Sequence, residues 1–310
     1  MNPVLVNQWR GNAIECRYRG AVAVVDSSGS LFASLGDIQR AVFPRSAIKF
    51  LQAIPFVESG AVEAFGLDER HIALACASHN GEPIHAGLAQ DWLERIGCDH
   101  DDLECGAQLP MHKATRPQRV HHNCSGKHLG LLSTCRQLKE NTQNYRLYNH
   151  AAQQRLLDVM ESLNNTRVKQ MPWGYDGCAI PTVAMPLQRI ALAMARFGDL
   201  SCLSGERREA VATIHSALTA QPYMVAGKER LCTSLMDILA PHILVKVGAA
   251  GVYTAVIPEH RLGIALKIDD GHDAAASVAL GAVFLPSINN SRGEAVGRLE
   301  PSSDWEGVAA

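Results

Sequence analysis

Ser46-Ala47-Ile48-Lys49 places a hydroxyl and an amine three residues apart at the start of an apolar segment. On a helix, residues at i and i+3 share one face, with Cβ atoms about 5–6 Å apart. Such a pair makes a serine nucleophilic only if the lysine is neutral enough to take its proton, through burial or a neighbouring cation. Arg45 stands next door and could supply that cation, or hold a substrate carboxylate through its fork of donors. A Ser and a Lys at this spacing are also common on solvated helix faces, so the motif needs companions. Two are present. The apolar run 72–77 ends at Ser78-His79-Asn80, an S-x-N where a buried element meets a polar loop. The run 243–248 is apolar except for Lys246, in a K-x-G arrangement. Lys246 is either a gatekeeper on an edge strand or a second amine facing a serine.

A third group of residues suits a metal. His121-His122-Asn123-Cys124-Ser125-Gly126-Lys127-His128 packs three histidines and a thiol into eight positions, and Tyr175-Asp176-Gly177-Cys178 offers another thiol beside a carboxylate. Zinc takes thiolate and imidazole in a tetrahedral set, and a catalytic site keeps one position for water. The spacing does not identify a ligand set, because there is no C-x-x-C. Buried thiols and capping polar residues account for the same segments equally well. Signatures of other chemistries are missing: no G-x-G-x-x-G, P-loop, H-E-x-x-H or G-x-S-x-G occurs.

S-x-x-K, S-x-N and K-x-G follow one another in the order seen in serine-acylating, penicillin-recognising enzymes and their amidohydrolase relatives. Six segments extend the likeness: Arg45-Ser46-Ala47-Ile48-Lys49, Cys76-Ala77-Ser78-His79, Asn123-Cys124-Ser125-Gly126-Lys127-His128, Asp176-Gly177-Cys178, Met224-Val225-Ala226-Gly227 and Lys246-Val247-Gly248. Together they resemble the rhizobial-type L-asparaginase family, also called asparaginase II or class 3, from about Gly20 to about Gly271. Asn290, Gly293 and Gly297 look similar to its tail.

The resemblance implies a serine β-lactamase/glutaminase-like fold, usually in a homodimer, that hydrolyses L-asparagine to L-aspartate and ammonia. It implies Ser46 with Lys49 as one catalytic pair and Ser78 with Lys246 as the other. Arg45 and His79, flanking the serines, become the expected substrate contacts. Cys124, Lys127 and Cys178 match the family's zinc ligands, with water as the fourth. Asp176 and His128 are then expected to orient those ligands from behind. Two other readings compete: a zinc-dependent amidase of another small amide, with metal-bound water as nucleophile, and a non-catalytic amino-acid- or metal-binding homologue.

The elements that must position these residues follow from periodicity. Strands are expected over 14–19, 21–26, 31–35, 243–248, 252–257 and 262–268. A helical period begins after Phe43-Pro44, with Ile48, Leu51, Ile54 and Val57 in one stripe. Further helices are expected over 83–96, 149–163, 186–197, 205–220, 228–239 and 273–284. Strands at both ends with helices between them imply an α+β fold, an antiparallel sheet from the terminal strands covered by helices.

The 310 residues then read as a single two-lobed unit, with a loosely held tail over 287–310. A formal net charge of −2 and only 5% aromatic residues argue against nucleic acid as a partner. No apolar run is long enough to span a membrane, and the N-terminus lacks the pattern of a secretory leader. Nine cysteines, an odd number in a long chain, point to a cytoplasmic protein with reduced thiols.

Overall fold

The structure is a computed structural model that describes residues 1–111, 116–284 and 298–301. Its centre is a seven-stranded antiparallel sheet. In spatial order it runs Arg298–Pro301, Val4–Arg10, Ala13–Asp26, Leu262–Ile268, Val252–Ile257 and Leu244–Gly248, with Leu31–Leu35 also paired to Ala13–Asp26. The terminal strands therefore form one sheet, as the α+β expectation requires. The two strands expected over 14–19 and 21–26 are one strand of 14 residues. Gly20 sits opposite Ile268, so the ladder to Leu262–Ile268 carries the chain straight through the glycine.

Both faces of this sheet are buried, and the alternation of side chains assigns each residue to one of them. Ala21, Ala23 and Val25 join the larger apolar cluster, while Val22 and Val24 join a second one. Helix Leu187–Gly198 covers the first face. Helices Leu231–Leu239 and Asp273–Phe284 cover the other through Cys232, Leu235, Ala275, Ala276, Ala279 and Leu280.

The remaining helices pack beyond Leu187–Gly198 as a second body. Within it the helical period after Pro44 is broken into a 3₁₀ turn, Arg45–Ile48, and two short helices, Lys49–Gln52 and Ile54–Glu58. Pro55 has no N–H to continue the ladder, yet Ile48, Leu51 and Ile54 are buried as the stripe requires. The apolar run 72–77 is largely helix, Glu69–Ala75, opened by a capping box in which Asp68 and His71 satisfy each other's backbone ends. Of the tail expected from 287 onward, Arg298–Pro301 pairs with Val4–Arg10, and the rest lies outside the described residues.

Helix Ser125–Gln137 has no counterpart in the sequence reading. It is buried from Ser125 to Cys135 without interruption, so it carries no amphipathic period. It crosses Glu69–Ala75 at backbone contact: a Cβ on Gly126 would lie 2.0 Å from the Leu74 carbonyl oxygen. Backbone cannot yield as a flexible side chain can. Gly126→Ala should therefore destabilise the protein by about 1–3 kcal/mol or more, seen as a lower denaturant midpoint with an unchanged m-value.

Candidate active site

The two helical segments and the edge strand meet at Ser78. After helix Glu69–Ala75, the backbone of residues 78–80 is pinned from two sides: Ser78 N–H donates to Val225 O (2.9 Å), Asn80 N–H to Ala226 O (3.0 Å) and His79 N–H to Asn123 O (3.3 Å). The fixed Ser78 hydroxyl receives two amines. Lys246 Nζ lies 2.8 Å from Ser78 Oγ and Lys49 Nζ lies 3.2 Å from it. Both lysines are fully buried. Lys49 also donates to the Ala77 carbonyl, and Lys246 to Val247 O at 2.9 Å. Lys246 does sit on the edge strand Leu244–Gly248, but its amine turns inward.

Burial, followed by repulsion from Lys49, pushes the Lys246 amine down to about 7. Lys49, spaced for Ser46, reaches Ser78 instead; among the described residues no Ser46–Lys49 hydrogen bond forms. Ser46 and Ser78 nevertheless open into the same cleft of about 180 Å³. The Ser46 turn is held against the edge strand. Thr254 Oγ1 donates to Ala47 O at 2.7 Å, and a Cβ on Gly248 would lie 2.6 Å from the Pro44 carbonyl oxygen. The glycine of K-x-G is thus what lets the strand lie so close to the serine.

Arg45 adopts φ 51°, a left-handed backbone that costs a residue with a Cβ about 1–2 kcal/mol. Its guanidinium faces away from the cleft and binds Asp176 Oδ1 through Nη2 (2.6 Å) and Nε (3.0 Å). This ion pair ties the Ser46 turn to the Cys178 loop. Asp176 is taken up by Arg45 and the Gly177 N–H rather than by a hydrogen bond to Lys127.

His79 does line the cleft, but both ring nitrogens are engaged: Nδ1 accepts from Gly81 N–H and Nε2 meets Ser125 Oγ. Burial and its stacked neighbour His85 keep it neutral. His128 is neutral as well, through burial and then Lys127, and its Nδ1 lies 2.6 Å from the Tyr145 hydroxyl.

Cys124, Lys127 and Cys178 come together in a buried layer that does not line the cleft. Lys127 Nζ lies 3.1 Å from Cys178 Sγ, and Lys49 Nζ lies 3.1 Å from Cys124 Sγ. The two thiols share a hydrogen bond, which pulls Cys124 well down, against its burial, and pushes Cys178 up. Burial opposes the charge on Lys127, but Cys178 and Cys124 hold it protonated and raise it.

Two thiols and an amine gathered in one buried layer are a donor set that fits zinc once the amine has given up its proton. Among the described residues no group of three His, Cys, Asp or Glu is arranged to hold a metal, so the set depends on Lys127. The histidines of the 121–128 segment are spent elsewhere, His122 Nδ1 accepting from Cys124 N–H at 3.0 Å.

Three cleft residues had no signal of chemistry in the sequence: Gln108, Arg230 and Asp273. The helix expected from 228 begins at Leu231, which leaves Arg230 on a loop beside the cleft. Its place three residues after Met224-Val225-Ala226-Gly227 was the signal available.

The site is a serine hydroxyl between two lysine amines, at the cleft of an α+β sheet fold. The chain matches the L-asparaginase II family model over residues 6–300, and it belongs to that family. The family assignment and the antiparallel sheet with its helices agree with the expected serine β-lactamase/glutaminase-like fold class. No curated protein matches the sequence.

Among solved structures, Mglu in its tris and glutamate form aligns with a TM-score of 0.52 and 14% identity, over 93% of this chain and 65% of that one. A β-lactamase from Mycobacterium bovis aligns at 0.43 and 14%, over 88% of this chain and 96% of that one. A D-alanine carboxypeptidase from Burkholderia cenocepacia aligns at 0.41 and 13%, over 85% and 93%. The likeness to Mglu is one of fold, and this chain spans about two thirds of its length. No helix among the described residues is long and apolar enough to cross a membrane.

The geometry predicts one anomalous lysine. In a lysine side-chain nitrogen NMR titration, one amine should titrate near pH 7, and its signal should vanish in Lys246→Met. A full set of lysines titrating above pH 9 would contradict it.

Proposed function

We propose that the protein is an L-asparaginase, hydrolysing L-asparagine to L-aspartate and ammonia by acyl transfer to serine. The observation that carries this is the Ser78 hydroxyl held between two lysine amines in a cleft that Ser46 also lines. Ser46 Oγ attacks the side-chain amide carbon of the substrate and forms an O–C bond. Its proton passes to Lys49, whose own proton has moved through the Ser78 hydroxyl to neutral Lys246. The relay run backwards delivers a proton to the amide nitrogen, the C–N bond breaks and ammonia leaves. Water then adds to the ester carbon and gives its proton to the same relay. The O–C bond to Ser46 breaks, Ser46 regains its proton, and aspartate is released. Backbone N–H groups at the Ser46 turn are the candidates to stabilise the oxyanion.

Cys124, Lys127 and Cys178 are the residues that would hold zinc. When bound, the ion supplies a fixed positive charge that keeps both thiols deprotonated. Because this layer lies outside the cleft and Cys124 touches Lys49, its role is to shape the lysine pair's surroundings rather than to meet substrate. Arg45 with Asp176, and Tyr145 with His128, brace that layer from two sides. Nine free thiols fit a reducing, cytoplasmic setting. Assembly as a homodimer follows the family habit.

Ammonia release from L-asparagine, with glutamine and buffer as comparisons, is the direct test. Ser46→Ala should lower kcat roughly 10⁶-fold, and Ser78→Ala roughly 10²–10⁴-fold, as loss of a proton carrier does. Near-wild-type turnover by Ser46→Ala would move the nucleophile to Ser78.

Since Lys246 must be neutral to accept a proton, the rate should rise with pH and level off above about 7. A flat profile between pH 5.5 and 8 would remove Lys246 from the relay. Metal stripping, or Cys178→Ser, should leave a measurable fraction of the rate. Complete and zinc-reversible loss would favour a metal-bound water as nucleophile instead.

A further inference from the structure

The cleft beside Ser46 and Ser78 contains two opposite charges that do not meet. Arg230 is half-buried in its wall. Its Nη1 donates to Asn80 Oδ1 at 2.9 Å, and among the described residues no carboxylate pairs with it. Asp273 lines the same cleft; its Oδ1 accepts from Gly251 N–H at 2.7 Å, and no cation among the described residues forms an ion pair with it.

Arg230 is not a loose surface side chain. Its loop is fastened by Glu82, whose Oε1 accepts from Lys228 N–H and from Asn80 Nδ2, each at 2.9 Å, while Oε2 accepts from the Tyr223 hydroxyl at 2.5 Å. Asn80 Nδ2 also donates to Lys228 O at 2.9 Å. The guanidinium is therefore held beside the cleft by this set of bonds, and among the described residues Nε and Nη2 have no hydrogen-bond acceptor. Held donors lose little freedom on binding, and a guanidinium matches a carboxylate with two parallel bonds.

A small cleft with a fixed cation, a separate carboxylate and a nucleophilic hydroxyl suits a zwitterion with a short reactive side chain. We propose that Arg230 and Asp273 form a head-group subsite, Arg230 taking the α-carboxylate of the substrate and Asp273 its α-ammonium group. This rests on the asparaginase reading and names how that enzyme recognises an amino acid rather than any small amide. It also leaves the head group to the cleft wall, apart from the buried Cys124–Lys127–Cys178 layer. Asn80 and Glu82 act as positioning residues for Arg230.

The test compares L-asparagine with two truncated amides: 3-aminopropanamide, which lacks the α-carboxylate, and succinamate, which lacks the α-amino group. In Arg230→Gln the preference for L-asparagine over 3-aminopropanamide, as a ratio of kcat/KM, should fall at least tenfold, with the loss in KM. Arg230→Lys should recover part of it as a point charge. In Asp273→Asn the preference over succinamate should fall by a similar factor. Preference ratios within twofold of wild type in both variants would overturn the proposal.

Binding measured by calorimetry separates this failure from failure of the asparaginase reading. If wild type releases no ammonia from L-asparagine, the activity is wrong. The subsite then stands only if wild type binds L-aspartate at least tenfold tighter than succinate or β-alanine, and if Arg230→Gln abolishes that margin. Equal or absent binding of the three overturns it.

Discussion

Two buried amines share one hydroxyl, and the rest of the architecture answers to that arrangement. A lysine ammonium removed from water without a counter-charge is strongly disfavoured, and a second one beside it compounds the cost. The pair relieves this by lowering one of its members, Lys246, into the range where it loses its proton near neutrality. The same group is then useful, because a neutral amine next to a hydroxyl can accept a proton. Stability and chemistry pull in opposite directions here, since an apolar residue at 246 would sit more comfortably in its strand.

The surroundings keep the pair dry and close. Helix Glu69–Ala75 leads into Ser78, the edge strand Leu244–Gly248 carries Lys246 to it, and Gly248 allows the strand to reach the Ser46 turn without a side chain in the way. Below them, the Cys124–Lys127–Cys178 layer places the Cys124 sulfur against Lys49. Arg45 and Asp176 then stitch the two layers together. A strained Arg45 backbone next to the serine is where that stitching is tightest.

Much of this frame was legible. The strands over 252–257 and 262–268 and the helices over 205–220 and 273–284 coincide with their observed bounds. Each is bounded by Gly, Pro or polar turns and carries a run of apolar residues. What escaped was governed by burial on all sides or by neighbours. Helix Ser125–Gln137 has no polar face to give it a period. The strand Ala13–Asp26 is continued through Gly20 by its cross-strand partner, which no local propensity encodes.

The site divides in the same way. The chain by itself determined which chemical groups were available: two serines, the lysines at 49, 127 and 246, two thiols, and the order in which they occur. Those are matters of composition and spacing. Which group each lysine touches was decided only in three dimensions, where Lys49, spaced for Ser46, reaches Ser78. Arg45, expected at the substrate, is drawn to Asp176, while Arg230, unmarked in the sequence, faces the cleft. Long side chains sweep several ångströms around their own backbone, so local spacing limits where their charged ends can go. The choice falls to the nearest buried partner that satisfies the charge, and only the folded neighbours supply it.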